Sequence, residues 1–185
     1  MNLSIIIPAF NEEESITPLV NLIFKNLDKN LEDFEIILID DGSNDKTWDE
    51  IVKISNKFEN IVSIKLLENY GKSDALDAGF KVCKGNYVLT MDADLQDDPS
   101  EILPLYTMIK ENKYDLVSGW KKKRNDPLTK TIPSKFFNLV TRLFSGIKLN
   151  DFNCGIKIYR KEVINSINLY GEMHRYIPLI AKWNG

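Results

Sequence analysis

Short apolar runs recur along this chain, and each stops at a cluster of polar residues. "LSIII" (3–7), "FEIILID" (34–40), "IVSIKLL" (61–67), "YVLTMD" (87–92) and "YDLVSGW" (114–120) are such runs. Near-continuous apolar stretches of this length predict strands buried on both faces, as in a parallel sheet. Between them lie segments with apolar residues at helical spacing: 12–30, "KTWDEIVKISNKF" (46–58), "KSDALDAGFKVC" (72–83) and "PSEILPLYTMIKEN" (99–112). Pro104 falls near the start of the last segment and is expected to displace or kink its first turn. Strands alternating with helices predict an α/β fold, a mostly parallel sheet with helices on both faces. With 185 residues, one domain covering 1–185 is expected.

The pattern changes after residue 120. "KKKRNDPLTK" (121–130) is basic and reads as a loop or linker. "IPSKFFNLVTRLFSG" (132–146) reads as an amphipathic helix stopped by Gly146. "DFNCGIKIYRKEVINSI" (151–167) predicts a short strand and a helix. The chain stops at "IPLIAKWNG" without an obvious closing element, so it is expected to be the front part of a longer protein. The N-terminus lacks the basic start and long apolar core of a signal peptide. No run approaches about 20 apolar residues, so no spanning helix is expected in this segment. Cys83 and Cys154 match no metal or redox spacing, which fits a reduced, cytosol-facing chain. The formal net charge of -3 argues against bulk nucleic-acid binding.

Open parallel sheets bind ligands outside the carboxyl ends of their strands. The polar loops fall there: "PAFNEEE", "DDGSND", "ENYGKS" and "DADLQDD". The last carries Asp92, Asp94, Asp97 and Asp98. Like charges this close need compensation. One reading is a loop screened by water and salt; the other is a metal ion. Asp92 and Asp94 can present oxygens to one hard cation, magnesium or manganese, and Gln96 can add a carbonyl. In "IDDGSNDKT" (39–47), Asp45 is placed to cap a helix and Gly42 permits a tight turn. One of Asp40 and Asp41 has no obvious structural duty there and can accept hydrogen bonds from a nucleoside. "NYGKS" (69–73) lacks the earlier glycine of a P-loop, since Leu66 stands in that place. Lys72 can still meet phosphate charge at a helix start, against the alternative of a solvated lysine. The basic group Lys121, Lys122, Lys123, Arg124, Lys130, Lys135 and Arg142 is either a solvated face or a clamp for an anionic acceptor or lipid. His174, the single histidine, reads equally as structural or functional.

Together, "SIIIPAFNEEESI", "LIDDGSNDKTWDEI", "ENYGKSDALDAGF" and "YVLTMDADLQDDPSEI" resemble family 2 glycosyltransferases of the GT-A fold, in order and spacing. "DADLQDDP" with "DFNCGIKIYRKEV" is most similar to the branch of dolichyl-phosphate mannose synthase and bacterial polyprenyl-phosphate glycosyltransferases. The resemblance covers nearly the whole chain. It implies transfer of a sugar, with inversion, from a UDP- or GDP-sugar to a polyprenyl phosphate. It implies that Pro8, Ala9, Glu12, one or both of Asp40 and Asp41, Asp92 and Ala93 hold the donor nucleotide, with Lys72 near the donor. Asp92, Asp94 and Gln96 would hold Mg2+ or Mn2+ on its diphosphate. Lys121, Lys130 and Ser134 stand where relatives hold the lipid phosphate; lysine is a point charge where arginine is common. Asp151 stands at the position of a catalytic carboxylate, and Arg175 near that of a diphosphate contact. The resemblance further implies C-terminal membrane helices beyond residue 185, action at the cytoplasmic face of a membrane, and no nucleic-acid partner.

Three other readings compete. A sugar hydroxyl could replace the lipid phosphate as acceptor; Asp151 would then act as general base. A non-catalytic nucleotide-sugar binding module is disfavoured by the intact Asp92, Asp94 and Asp151. A nucleotidyltransferase would open with a glycine-rich phosphate loop, and "PAFNEEE" has no glycine.

Overall fold

The computed structural model describes residues 1–27, 31, 33–112, 114–120, 146, 147, 149, 151, 152 and 154–183. Lys121, Lys130, Ser134 and nearly all of the helix expected over 132–146 lie outside the described residues. The strands are β1 (Leu3–Ala9), β2 (Phe34–Asp40), β3 (Ile61–Lys65), β4 (Tyr87–Thr90), β5 (Leu116–Ser118) and β6 (Lys157–Arg160). They form one sheet in the order β3-β2-β1-β4-β6-β5. β1 pairs in parallel with β2 and β4, and β2 with β3. β6 runs antiparallel between β4 and β5, so it alone is reversed. The helices are α1 (Ile16–Leu27), α2 (Thr47–Ser55), α3 (Lys72–Val82), α4 (Ile102–Asn112), α5 (Lys161–Asn165) and α6 (Ile177–Trp183).

Side-chain alternation explains the layers. Successive residues of a strand point to opposite faces. Leu3, Ile5 and Ile7 of β1, with Phe34, Ile36 and Leu38 of β2, pack into one core with α1, α2 and α4. Ile6, Ile37 and Ile39 pack into the other, with α3, Ile164 and Ile177. Fully burying each such side chain stabilises the fold by about 1.5–3 kcal/mol. α1 buries Ile16, Leu19, Val20, Ile23, Phe24 and Leu27, the stripe expected of a helix with one covered face. Phe24 stacks on Phe58 with ring centroids 3.9 Å apart.

The observed elements trim the expected ones where polar residues begin. β3 ends at Lys65, and Leu67 beyond it is 96% exposed, because β3 is a sheet edge with no further strand to cover the turn. β4 ends at Thr90, so the acidic stretch leaves the sheet at once. A 3-10 turn over Pro99–Glu101, capped by Asp98 Oδ1 accepting the Ser100 N–H at 2.9 Å, precedes α4. The α-helix therefore starts late, at Ile102. Pro104 sits in its first turn, where a missing N–H costs no helical bond.

One polar cluster lies inside the sheet's amino-terminal end. The buried Glu35 Oε1 accepts from Ser4 Oγ at 2.6 Å and from the Lys84 N–H at 2.7 Å. Ser4 Oγ in turn accepts the Gly85 N–H at 2.8 Å. This ties the α3–β4 connection to β1 and β2. Replacing Glu35 by Leu strands two buried donors, each worth about 1–3 kcal/mol. Urea unfolding of Glu35→Leu is expected to show a loss of stability of about 2–4 kcal/mol; an unchanged midpoint would show that water replaces the carboxylate.

Candidate active site

The carboxyl ends of β1, β2 and β4 meet the start of α3 at one cleft of about 390 Å³. Of the residues singled out from the sequence, Pro8, Ala9, Glu12, Asp41, Lys72, Asp92, Ala93 and Asp94 line it. Phe10, Asn69 and Gly71 line it as well and were not singled out from the sequence. Their signal was only their adjacency to residues that were. Asp40, Gln96, Asp151 and Arg175 are not among the lining residues.

The two aspartates at the end of β2 both have structural duties, which corrects the expectation that one is idle. Asp40 is fully buried, and its Oδ1 accepts the Ser43 N–H at 3.0 Å. Asp41 accepts the N–H groups of Tyr70 and Gly71, each at 3.0 Å, one on each oxygen. It thereby fixes the loop that carries Lys72 into the cleft. Burial raises the Asp41 pKa above the usual carboxylate value, against the lowering by its two N–H donors. Gly42 is required beside it: φ is +67°, and an added Cβ would lie 2.3 Å from the Glu68 carbonyl carbon. Asp45 accepts the Thr47 N–H at 2.9 Å but does not occupy the N-cap position expected of it: that position falls to Lys46, whose side chain makes no capping bond. The Thr47 hydroxyl accepts the Glu12 N–H at 2.7 Å, so the first two polar loops are joined.

Asp92 and Asp94 follow β4 on one side of the cleft. Lys72 Nζ is ion-paired with Asp92 Oδ1. Asp92 Oδ2 lies on the other side, against Gly155, where an added Cβ would come within 2.5 Å of it. That same Cβ would lie 2.6 Å from Asp97 Oδ2. Asp94 Oδ1 accepts the Gln96 N–H at 3.0 Å, while the Gln96 side chain is exposed outside the cleft. Leu95 between them has φ +60°, a left-handed conformation costing a non-glycine residue about 1–2 kcal/mol. The chain thus turns sharply after Asp94. No group of three or more metal-ligating side chains occurs among the described residues. The donor set is nonetheless all-oxygen and anionic, which fits a hard divalent cation that draws its remaining ligands from a diphosphate and water.

A floor supports these carboxylates, and sequence reasoning did not find it. Thr90 Oγ1 donates to the Gly155 carbonyl at 3.1 Å. Lys157, buried and paired in register with Thr90, donates from Nζ to the Cys154 carbonyl. Burial pushes its pKa down to about 8, and its charge is felt by Asp92 and Asp151. Its motif, "CGIK", was legible, but nothing in one sequence shows a lysine pointing inward. Asp151 is also buried, and its carbonyl accepts from Ser118 Oγ at 3.3 Å. Both cysteines are buried and free.

His174 is structural in this fold. Its backbone N–H donates to Ser73 Oγ at 3.0 Å, and its Nδ1 lies 3.0 Å from the same oxygen. Burial lowers its pKa to about 4, so the ring is neutral, with Nδ1 hydrogen-bonded to the Ser73 hydroxyl. This fastens Met173–Tyr176 onto the start of α3. Arg175 is half exposed and pairs with Glu172 at 3.4 Å, away from the cleft lining.

The family model for glycosyl transferase family 2 matches residues 4–167. The chain belongs to glycosyl transferase family 2. It is 37% identical over 180 residues to dodecaprenyl-phosphate galacturonate synthase of Rhizobium johnstonii, covering 96% of this chain and 53% of that protein. It is 34% identical over 179 residues to undecaprenyl-phosphate 4-deoxy-4-formamido-L-arabinose transferase of Pseudomonas syringae pv. syringae, covering 96% and 53%. The chain therefore spans about half the length of the curated relatives it matches. Among solved structures it is similar to S. aureus TarS 1-349 in complex with UDP-GlcNAc, with TM-score 0.71, 24% identity, and 100% and 54% of the two chains covered. It is also similar to the mannosyltransferase PcManGT from Pyrobaculum calidifontis in complex with GDP-Man and Mn2+, with TM-score 0.65, 18% identity, and 89% and 46% covered. These likenesses establish the GT-A fold for this family 2 chain, as its motifs implied.

The floor beneath Asp92 yields a test. Gly155→Ala forces a methyl into the space held by two carboxylates, and overpacking of this kind costs about 1–3 kcal/mol. Chemical denaturation is expected to show a loss in that range, with the fold retained by circular dichroism. Wild-type stability in Gly155→Ala would mean that Asp92 is not held where the floor places it.

Proposed function

We propose that this chain is the donor-binding and catalytic domain of a polyprenyl-phosphate glycosyltransferase. The carrying observation is the convergence of Asp41, Lys72, Asp92 and Asp94 on one cleft at the strand ends. The names of its family 2 relatives, both transferring a sugar to a polyprenyl phosphate, support the acceptor class. The donor is a UDP- or GDP-sugar, with Pro8, Ala9, Glu12, Asp41 and Ala93 around its nucleoside. Asp40 supports that wall from beneath.

Asp92 and Asp94 hold Mg2+ or Mn2+, with Gln96 orienting Asp94 through its backbone. When bound there, such a metal would supply Lewis-acid stabilisation to the leaving diphosphate. Lys72 meets the charge that develops there. Lys121, Lys130 and Ser134, with Arg175 as a further basic group, receive the anionic groups of acceptor and donor. The acceptor phosphate is ionised at neutral pH and needs positioning more than deprotonation. One of its oxygens attacks the anomeric carbon from the face opposite the leaving group. A new C–O bond forms, the bond from the anomeric carbon to the donor's β-phosphate oxygen breaks, and its electron pair leaves with the nucleoside diphosphate. Configuration inverts. Asp151 orients the acceptor or sugar. No helix among the described residues is long and apolar enough to cross a membrane. On this proposal the domain meets its lipid substrate at the cytoplasmic membrane surface.

The test is transfer of labelled sugar from UDP- or GDP-sugars to undecaprenyl phosphate in detergent, followed by lipid extraction. Metal-dependent label in the lipid fraction is expected, falling by about 10²–10³-fold in Asp94→Ala, as for other losses of charge stabilisation. Asp151→Asn is expected to lose less than about tenfold, whereas removing a general base costs about 10²–10⁴-fold. A loss in that larger range would point instead to a sugar hydroxyl as acceptor. Absence of lipid-linked label with every donor would contradict the proposal.

A further inference from the structure

We propose that Lys72 is an exchangeable counter-ion: it occupies the metal-facing oxygen of Asp92 until a metal–nucleotide complex arrives, and then moves to the diphosphate. The inference rests on the donor-site reading above and adds an order of binding to it. Metal enters with the nucleotide, not before it.

Three observations carry this. First, the oxygens of Asp92 are divided. Oδ2 is turned to the floor at Gly155, with no room for even a methyl group between them. Oδ1 is paired with Lys72 Nζ. A cation approaching Asp92 from the cleft must therefore share or displace the ammonium. Second, the rest of the set is sparse. Asp94 already has Oδ1 engaged by the Gln96 N–H, and the described residues bring no third metal-ligating side chain to the place. Two carboxylates, one of them neutralised, form a poor site for a free hard cation, which prefers six or more oxygens. A diphosphate supplies both the missing oxygens and a new partner for the lysine. Third, Lys72 can leave. Its side chain is 34% exposed on the first turn of α3, lining the cleft, and a second ammonium, Lys157, lies near enough for the two charges to repel. Asp41 holds the backbone at Gly71, so the lysine's stem is anchored while its four-carbon chain swings.

The arrangement gives opposite signs for one substitution. Removing the ammonium frees Asp92 for a metal alone, yet removes a cation from the bound diphosphate. Mn2+ affinity without nucleotide, measured by electron paramagnetic resonance of free Mn2+, is expected to rise about tenfold in Lys72→Met, the order of one charge contact at about 4 Å that is screened by water, as the exposure of Lys72 dictates. UDP and GDP titrated in the presence of Mn2+ are expected to bind about tenfold more weakly. Lys72→Arg, which keeps the charge, is expected to leave Mn2+ affinity near that of the wild type. Circular dichroism and thermal unfolding confirm that each variant is folded. Unchanged or weaker Mn2+ binding in Lys72→Met, with nucleotide binding still metal-dependent, overturns the counter-ion exchange and leaves the donor-site reading standing. If Mn2+ changes neither UDP nor GDP binding in the wild type, the metal reading fails and this proposal falls with it.

Discussion

The compensation of negative charge at the end of β4 is the constraint on which the functional half of this molecule depends. Asp92, Asp94 and Asp97 leave the sheet within a few residues of one another, beside the acidic end of β2. Unit charges at such spacing repel by several kcal/mol where water is partly excluded, about 4 kcal/mol at 4 Å near a protein surface. The fold answers with two lysines of different kinds. Lys157 is buried beneath, fixed to the Cys154 carbonyl, and remains in place. Lys72 reaches in from above on α3, at the cleft, where it is ion-paired with Asp92. A fixed cation below and a partly exposed one above offset the carboxylates at the mouth of the cleft.

Everything else about the architecture serves to bring these groups together. β1 and β2 are buried on both faces, so their register is strongly specified, and Ala9 and Asp40 end level with each other. Hydrogen bonds between loops then turn separate strand ends into one wall. Asn11 N–H donates to Ser43 Oγ at 2.9 Å, Glu12 N–H to Thr47 Oγ1, and Tyr70 and Gly71 to Asp41. The reversed β6 contributes from the far side. Its pairing with β4 sets Lys157 beside Thr90 and swings Gly155 under Asp92.

The strands and helices before residue 120 were legible because buried parallel strands and amphipathic helices write different periods into the sequence. The rim was legible too, since polar punctuation after each apolar run marks the carboxyl ends of strands. Three things were not. The direction of β6 is a tertiary choice: "KIYR" is equally compatible with either orientation. The duty of Asp41 depends on a loop 29 residues away, and no local pattern announces it. The inward path of Lys157 contradicts the usual exposure of lysine and is decided by the carboxylates around it, not by its neighbours in sequence. The expected roles of Lys121, Lys130 and Ser134 rest on resemblance alone, because they fall outside the described residues.

The role proposed for the cleft between β1, β2 and β4 is to hold a nucleotide sugar through a divalent metal on Asp92 and Asp94. Isothermal titration of UDP-glucose, GDP-mannose and UDP-N-acetylglucosamine into the purified chain tests it most directly, first with Mn2+ and then with EDTA. A nucleotide sugar is expected to bind with Mn2+, EDTA to abolish the heat, and Asp92→Ala to do the same. Binding that is equally strong in EDTA, or no binding of any of the three with Mn2+ present, would contradict it.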